Sequence, residues 1–293
     1  MKSLFVFMKG LTVINMIILI ISLMAILASS LYMYFTQYLT TGIIWWSFPV
    51  LFLVFWLLSF LLFYGILAIM TLFMNPKKVV VHPYKFYSLM IAWTTRFLAT
   101  FYRLDIVFEN DHLLPHNSKF FLISNHQSNL DPIALLAVMK KHTVTFIMKD
   151  SLLNLPVIGP WLRTSGYLPL DRKNDRKALE VVALAIKRIK DGKALGVYPE
   201  GTRSRGPKMN EFHHGIFRVP QKAEAPIVVV AIDNLYRVKK RFLWTRTKVL
   251  IRICEVIPYE DIKNKTTADI SLRAQTSIQK ALDEARAKYS WLN

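Results

Sequence analysis

The chain has 293 residues, and its 38 lysines and arginines outnumber its 19 aspartates and glutamates to give a net charge of +19. This length allows one large domain or two domains of medium size. Cys254 is the only cysteine, which excludes a disulfide within the chain and a zinc site built on cysteines, and fits a reducing compartment.

The first 76 residues are almost free of charge. Lys2 and Lys9 are their only charged side chains, so the rest of the chain carries +17 of the net +19. Residues 11–31 and 45–74 are apolar runs, and a helix that spans the membrane needs roughly 20 such residues. We therefore predict an N-terminal transmembrane hairpin over residues 1–78 with these two helices. A cleaved signal peptide is the alternative for the first run, but the second run follows it closely.

The distribution of positive charge predicts the orientation of this hairpin. Lys2 and Lys9 precede its two helices, Lys77 and Lys78 follow them, and the loop over residues 32–42 between them carries no charge. The positive-inside rule then places both ends in the cytoplasm. We expect an integral protein of the bacterial cytoplasmic (inner) membrane. Its residues 79–293 would form a cytoplasmic domain that begins with an interfacial helix at about residues 82–101.

Beyond residue 103 the chain alternates between short apolar or β-branched runs and segments with helical periodicity. Six runs bounded by polar, proline or glycine residues predict strands, and three segments predict helices. Such alternation predicts an α/β fold with functional groups at the strand ends. The predicted strands are residues 104–108, 120–124, 143–148, 194–198, 227–232 and 248–256, and the predicted helices are residues 132–140, 175–190 and 269–288.

Residues 125–132 (NHQSNLDP) carry a candidate acid–base pair. A neutral imidazole can take a proton from a hydroxyl, and a carboxylate on its other nitrogen fixes the tautomer. His126 and Asp131 are too far apart for one helical face, so we expect His126 before a helix and Asp131 in its first turn. Ser128 and Asp131 would form a capping box, or Asp131 would cap the helix ahead of Pro132. A structural histidine beside a capping aspartate is the open alternative.

A second polar run, residues 198–206 (YPEGTRSRG), follows about seventy residues later. Pro199 and Gly201 should end the preceding strand, so that Arg203 and Arg205 project from a glycine-bounded loop. Guanidinium groups bind phosphate in a fork, and loop amides can add to that contact. The run is therefore a candidate phosphate site, for which a solvated basic turn is the alternative. Further phosphate candidates are Lys149 and Arg172.

Four blocks stand in order along the chain: residues 125–131 (NHQSNLD), 166–172 (GYLPLDR), 198–206 (YPEGTRSRG) and 225–232 (APIVVVAI). Together they resemble the blocks of the 1-acylglycerol-3-phosphate acyltransferases, the lysophosphatidic acid acyltransferase branch of the glycerolipid acyltransferases. The resemblance implies a mixed sheet flanked by helices and an enzyme of phospholipid synthesis. It implies membrane lipids as partners, and it implies neither a cofactor nor a metal.

The resemblance also implies a role for individual residues. His126 would take the proton from the free sn-2 hydroxyl of lysophosphatidate, and Asp131 would orient the imidazole. The hydroxyl would then attack the thioester of acyl-CoA or acyl-carrier protein directly, since no nucleophile elbow is recognisable. The expected substrate-binding residues are Glu200, Gly201, Thr202, Arg203 on the phosphate, Arg205, Lys149 and Arg172.

The chain departs from the family pattern after the third block. Members usually carry a phenylalanine followed by lysines before a glycine, whereas residues 212–215 read FHHG. Histidine gives a weaker and pH-dependent charge, so another lysophospholipid is an alternative acceptor. The basic charge alone would also suit a non-catalytic protein that binds anionic lipid. We expect no nucleic-acid partner, because basic and aromatic residues are not interleaved on a recognisable binding module.

Overall fold

The computed structural model describes residues 19–36, 47–75, 80, 85–139, 142–171, 175–240 and 245–292. Its internal contacts divide the chain into two compact units, Met1–Asn75 and Pro76–Asn293. Two apolar helices form the described part of the first unit, and the second unit is built on a β-sheet.

The first unit contains helices α1 (Leu19–Thr36) and α2 (Ser47–Met70). The mean hydropathy is 1.8 over Leu19–Thr36 and 2.6 over Phe48–Phe73, so by length and composition both helices could cross a membrane. Trp56 of α2 donates a hydrogen bond from Nε1 to Ser22 Oγ of α1 at 3.3 Å. α1 continues beyond its predicted end at residue 31, because no glycine or proline interrupts the next five residues. Residues 11–18 and 45–46 of the predicted helices lie outside the described residues.

The second unit is built on one mixed sheet of seven strands. They are β1 (Leu104–Glu109), β2 (Phe121–Ser124), β3 (Val144–Lys149), β4 (Leu168–Leu170), β5 (Ala194–Val197), β6 (Ile227–Asp233) and β7 (Thr247–Ile257). The order across the sheet is β1-β7-β6-β2-β5-β3-β4. Neighbouring strands are parallel, except that β6 and β7 are antiparallel.

Helices cover both faces of this sheet, which confirms the predicted fold class. They are α3 (Lys85–Phe101), α4 (Asp131–Val138), α5 (Asp150–Leu153), α6 (Ile158–Thr164), α7 (Asp175–Lys190), α8 (Arg218–Ala223), α9 (Tyr259–Ile262) and α10 (Thr267–Lys288). On one face α7, α8 and α10 pack around Phe121 and Ile123, and on the other face α4 packs around Phe120 and Leu122. Because successive strand side chains point to opposite faces, this one apolar segment supplies both cores.

The six predicted strands and three predicted helices are all present, with bounds that differ by at most two residues. β4 was not predicted, because three residues that include a proline give no alternating pattern. It lies at the edge of the sheet, where the missing N–H of Pro169 is tolerated. α10 begins earlier than predicted, at Thr267, because Thr266 Oγ1 caps it by accepting from Asp269 N at 3.1 Å. A helix, α3, is present where the interfacial helix was predicted. Its place at the membrane interface stays a prediction, and residues 82–84 lie outside the described residues.

Candidate active site

The candidate catalytic residues lie at the carboxyl ends of the parallel strands in the centre of the sheet. β2 and β5 pair in parallel, so the residues that follow their carboxyl ends meet at the same edge. His126 follows β2 and Glu200 follows β5, while Lys149 ends β3, which is parallel to β5. The fold thereby brings into contact two motifs whose residues His126 and Glu200 are 74 positions apart in the sequence.

A hydrogen bond joins the predicted base to the predicted orienting carboxylate. Asp131 Oδ2 lies 2.7 Å from His126 Nδ1. Since an ionised carboxylate only accepts hydrogen bonds, this contact assigns the proton to Nδ1 and leaves the Nε2 lone pair available. The Asp131 side chain is fully buried, whereas 18% of the His126 side-chain surface is exposed. The arrangement is that of an oriented general base that a substrate can reach.

The Asp131 carboxylate also organises the loop before α4. Its Oδ2 accepts from the backbone amides of Gln127 at 2.6 Å and Ser128 at 2.8 Å. Burial raises the pKa of Asp131, while the hydrogen bonds from His126, Ser128 and Gln127 act in the opposite direction. α4 begins at Asp131 itself, with Leu130 as its N-cap, so neither predicted cap forms in full. The Asp131 amide donates to the Ser128 carbonyl oxygen at 3.3 Å, while its carboxylate accepts from the loop amides and from His126.

Glu200 and Ser204 hold the backbone of His126 from the second motif. Glu200 is buried, and its two carboxylate oxygens accept from the amides of His126 at 2.6 Å and Asn210 at 2.8 Å. Ser204 donates to the His126 carbonyl oxygen from its amide at 2.8 Å and from its hydroxyl at 3.2 Å. Burial raises the pKa of Glu200, whereas the hydrogen bonds from the Asn210 and His126 amides act to lower it. The structure thus shows Glu200 holding the backbone at His126 and Asn210. Its predicted contact with the lysophospholipid stays a prediction.

An aromatic stack lies against the imidazole of His126. The ring centroids of His126 and Tyr198 are 4.3 Å apart at an interplanar angle of 20°, and Tyr198 stacks on Phe146 at 5.4 Å and 7°. Gly196 makes room for this stack, since a Cβ at that position would lie 2.5 Å from the Phe146 ring. The Tyr198 hydroxyl is buried without a hydrogen-bond partner among the described residues, and burial raises its pKa. The sequence did not predict this stack, because both aromatic residues were accounted for as strand residues.

Three of the predicted phosphate-binding residues lie at or beyond the carboxyl ends of strands: Lys149 ends β3, and Arg203 and Arg205 follow β5. Arg203 is half-buried and Arg205 is exposed, and within the described part of the chain neither guanidinium group has a hydrogen bond or an ion pair. Gly201 and Arg205 adopt positive φ angles of 69° and 60°, which turn the loop tightly and are easily adopted only by glycine. Lys149 and Thr202 are also exposed. Arg172 lies outside the described residues.

Comparisons with known proteins show which family this sequence resembles. Residues 105–233 match the sequence model of the family described as Acyltransferase. The chain carries an acyltransferase domain. Human 1-acyl-sn-glycerol-3-phosphate acyltransferase beta is 29% identical over 191 residues, which are 64% of this chain and 67% of the human protein. The 1-acyl-sn-glycerol-3-phosphate acyltransferase of Haemophilus influenzae is 28% identical over 186 residues, or 61% of this chain and 77% of that protein.

A solved structure shares the fold of most of this chain. The crystal structure of the 1-acyl-sn-glycerophosphate acyltransferase PlsC from Thermotoga maritima aligns with a TM-score of 0.62 and 22% identity. The alignment covers 78% of this chain and 90% of that one. These findings confirm the predicted family resemblance, the enzyme class and the fold.

A polar network next to His126 in the second unit was not predicted. Gln127 Nε2 donates to Asp233 Oδ1 at 3.0 Å, and Arg286 Nε donates to Asp233 Oδ2 at 2.9 Å. Arg286 also donates to the Pro207 carbonyl oxygen at 2.8 Å, just beyond the second motif. Asp233 ends β6, which is parallel to β2, so the rule that functional groups follow strand ends could have marked it. Nothing in the sequence marks Arg286.

The two histidines that depart from the family pattern, His213 and His214, follow the second motif in the sequence. The His213 amide donates to the Pro199 carbonyl oxygen at 2.9 Å, and His214 Nδ1 lies 3.3 Å from Thr267 Oγ1. Among the residues that the structure describes, no group of three histidine, cysteine, aspartate or glutamate side chains could hold a metal ion. That the enzyme needs neither metal nor cofactor stays a prediction.

Proposed function

We propose that this acyltransferase transfers a fatty acyl group from acyl-CoA or acyl-carrier protein to the sn-2 hydroxyl of 1-acylglycerol-3-phosphate, giving phosphatidic acid. The observation that carries the proposal is the hydrogen-bonded pair of His126 and Asp131, held to the basic loop by Glu200 and Ser204. The names of the human and Haemophilus influenzae relatives support lysophosphatidate as the acceptor.

The proposed reaction is direct attack by the lipid hydroxyl. His126 Nε2 takes the hydroxyl proton as the oxygen bonds to the thioester carbonyl carbon, and the buried Asp131 carboxylate stabilises the imidazolium ion. The C–S bond then breaks, and the thiolate leaves with the proton that His126 returns. Among the described residues, no hydroxyl or thiol group hydrogen-bonds to Nε2, which favours this route over an acyl-enzyme.

The basic loop would hold the phosphate of the acceptor. Arg203 and Arg205 project from a turn that is fixed to His126 through Ser204. A phosphate held by this loop would therefore keep a constant distance from the base, and such positioning is a large part of catalysis. Lys149, at the end of β3 on the same edge, would add a third positive charge.

The first unit would place this chemistry at a membrane. Its apolar side chains are exposed, among them Leu61 of α2 at 68%, and Leu72 and Phe73 just beyond α2 at 79% and 87%. Each such side chain costs about 1.5–3 kcal/mol in water relative to an apolar environment, which lipid would remove. We infer an integral protein of the bacterial cytoplasmic membrane with the acyltransferase domain on the cytoplasmic side, supported by the lysines that flank the hairpin.

A panel of lysolipids with two acyl donors tests the proposal. The full chain in detergent is mixed with each lysophospholipid and with acyl-CoA or acyl-carrier protein, and the products are identified by mass spectrometry. We expect phosphatidic acid from lysophosphatidate, and an activity about 10²–10⁴-fold lower for His126→Ala. His116→Ala is the matched control, because His116 is exposed on the same unit and lies in neither motif.

The outcomes separate the alternatives. A preference for another lysophospholipid would replace lysophosphatidate as the acceptor and leave the acyl-transfer chemistry intact. Full activity of His126→Ala would refute the proposed base. Absence of acyl transfer with every acceptor and donor would leave only a lipid-binding protein.

A further inference from the structure

A cavity lies on the second unit, away from the candidate active site. It has a volume of about 750 Å³ and lies between α3 and the segments that lead into β3, β4 and β5. Thr143 and Thr145 line it at the start of β3, Ser165 and Tyr167 just before β4, and Lys193 just before β5. The cavity is therefore at the amino ends of these parallel strands.

This position separates the cavity from the catalytic pair. His126 follows the carboxyl end of β2. Because β2, β5 and β3 are parallel, their carboxyl ends lie on the opposite side of the sheet from the amino ends that line the cavity. Strands of four to six residues that rise about 3.3 Å per residue keep the two edges roughly 13–20 Å apart. A ligand in the cavity would therefore not occupy the place of the acceptor phosphate.

The side chains that line the cavity are basic on one side and apolar on the other. Lys85, Arg96, Arg188 and Lys193 line it, and none of the described lining residues is an aspartate or glutamate. The apolar lining residues include Phe86, Leu89, Ile91, Leu136 and Met139, of which Phe86 and Leu89 remain about half exposed on α3.

Two buried polar atoms at the cavity have no hydrogen-bond partner among the described residues. They are Arg96 Nε and Ser165 Oγ. Burial lowers the pKa of Arg96, and it lowers the pKa of Arg188 to about 10. Guanidinium groups keep their positive charge in proteins. Arg188 Nε already donates to Thr145 Oγ1 at 2.9 Å. A charge shielded from water is unfavourable unless an opposite charge and hydrogen bonds compensate it, and an anion in the cavity would supply both to Arg96.

We propose that this cavity binds the phosphate group of an anionic phospholipid, as a second lipid site distinct from the active site. Phosphate matches the guanidinium and ammonium donors of the basic side, and the apolar side with exposed Phe86 and Leu89 offers a surface for the glycerol and first methylene groups of the chains. The site would dock α3 on the lipid surface. The inference does not depend on the proposed acceptor or on the proposed catalytic base.

Native mass spectrometry of the full chain in non-ionic detergent tests the proposal. The protein is titrated with phosphatidylglycerol, with zwitterionic phosphatidylcholine and with inorganic phosphate, and the bound fraction gives an apparent Kd for each. We expect phosphatidylglycerol to bind more tightly than phosphatidylcholine, and Arg96→Gln to weaken its binding about tenfold, since one charge-assisted hydrogen bond is worth that much or more. Lys193→Gln should weaken binding as well, and it keeps the fold because Lys193 is exposed.

Two controls make the result specific. Arg176→Gln is the same chemical change as Arg96→Gln but on α7, at a side chain that is 92% exposed and does not line the cavity. Binding of phosphatidylglycerol should therefore be unchanged. His126→Ala should also leave phosphatidylglycerol binding unchanged while it lowers acyl transfer by about 10²–10⁴-fold. Equal binding to wild type, Arg96→Gln and Lys193→Gln would overturn the proposal, as would loss of binding in His126→Ala. Competition by inorganic phosphate at the same concentration as the lipid would overturn the assignment to a phospholipid.

Discussion

Replacing Glu200 by glutamine distinguishes a residue that braces the active site from one that binds the substrate. Each carboxylate oxygen of Glu200 accepts one backbone N–H, from His126 at 2.6 Å and from Asn210 at 2.8 Å. Glutamine keeps one acceptor, but its NH₂ group must face the other N–H, donor against donor. The change removes a charged hydrogen bond and leaves buried donors unpaired, which together cost about 3 kcal/mol.

The bracing role predicts a combined loss of stability and of turnover. For a unit of this size, about 3 kcal/mol corresponds to a fall in the melting temperature of about 6–12 °C. A displaced His126 should lower kcat about 10²-fold, while the KM for lysophosphatidate changes little, because the groups that contact the phosphate are unaltered. Thermal unfolding followed by tryptophan fluorescence, and initial rates of thiol release from acyl-CoA, measure the two effects on the same protein sample.

Glu211→Gln provides the matched control for this experiment. Glu211 is exposed on the same segment, next to Asn210, so the same chemical change should leave both the melting temperature and kcat unaltered. The reasoning is refuted if Glu200→Gln keeps the wild-type melting temperature and kcat and instead raises the KM for lysophosphatidate. That result would place the carboxylate on the headgroup.

Three further changes have outcomes that follow from the structure. Asp131→Asn keeps an oxygen that can accept from His126 Nδ1 but removes the charge, so kcat should fall about 10²–10⁴-fold in steady-state rates, and near-wild-type rates would contradict the assigned role. Gly196→Ala places a Cβ 2.5 Å from Phe146 and should destabilise the fold by about 1–3 kcal/mol, so an unchanged melting temperature would argue against the stack as described. Burial alone would raise the pKa of Glu109, but hydrogen bonds from three neighbouring side chains outweigh it and lower that pKa to about 2 from 4.5. Its stabilisation is therefore present above pH 4.5 and lost as the pH falls towards 2. Glu109→Gln should cost about 1–2 kcal/mol at neutral pH, and thermal unfolding should show this cost shrinking below pH 4, whereas a constant cost would contradict it.

The sequence predicts those parts of the fold that have long apolar periodicity. α7 has its predicted bounds, residues 175–190, because its apolar residues recur at helical spacing and Gly192 follows its end. β4 and the short helices α5, α6, α8 and α9 were missed, because three to seven residues contain too little of either period. Tertiary contacts decide the conformation of such short segments.

The sequence predicted which residues form the candidate site, but it did not predict most of the contacts between them. His126, Asp131 and Glu200 were singled out by motif. Their partners depend on which strands are neighbours, and strand order cannot be read from the alternation of elements. The pairing of β2 with β5 is what turns Glu200 towards the amide of His126 and lets Tyr198 stack on its ring.

The C-terminal helix α10 belongs to the active-site architecture although no motif lies in it. Its Arg286 binds both the buried carboxylate of Asp233 and the carbonyl oxygen of Pro207. Asp233 in turn orients Gln127, the neighbour of His126, so one guanidinium group connects the loops of both motifs. The family match ends at residue 233, but a protein shortened to that boundary would leave Asp233 without its cation. Because a buried charge deprived of its partner is strongly destabilising, the functional unit must include the helix that follows the recognised domain.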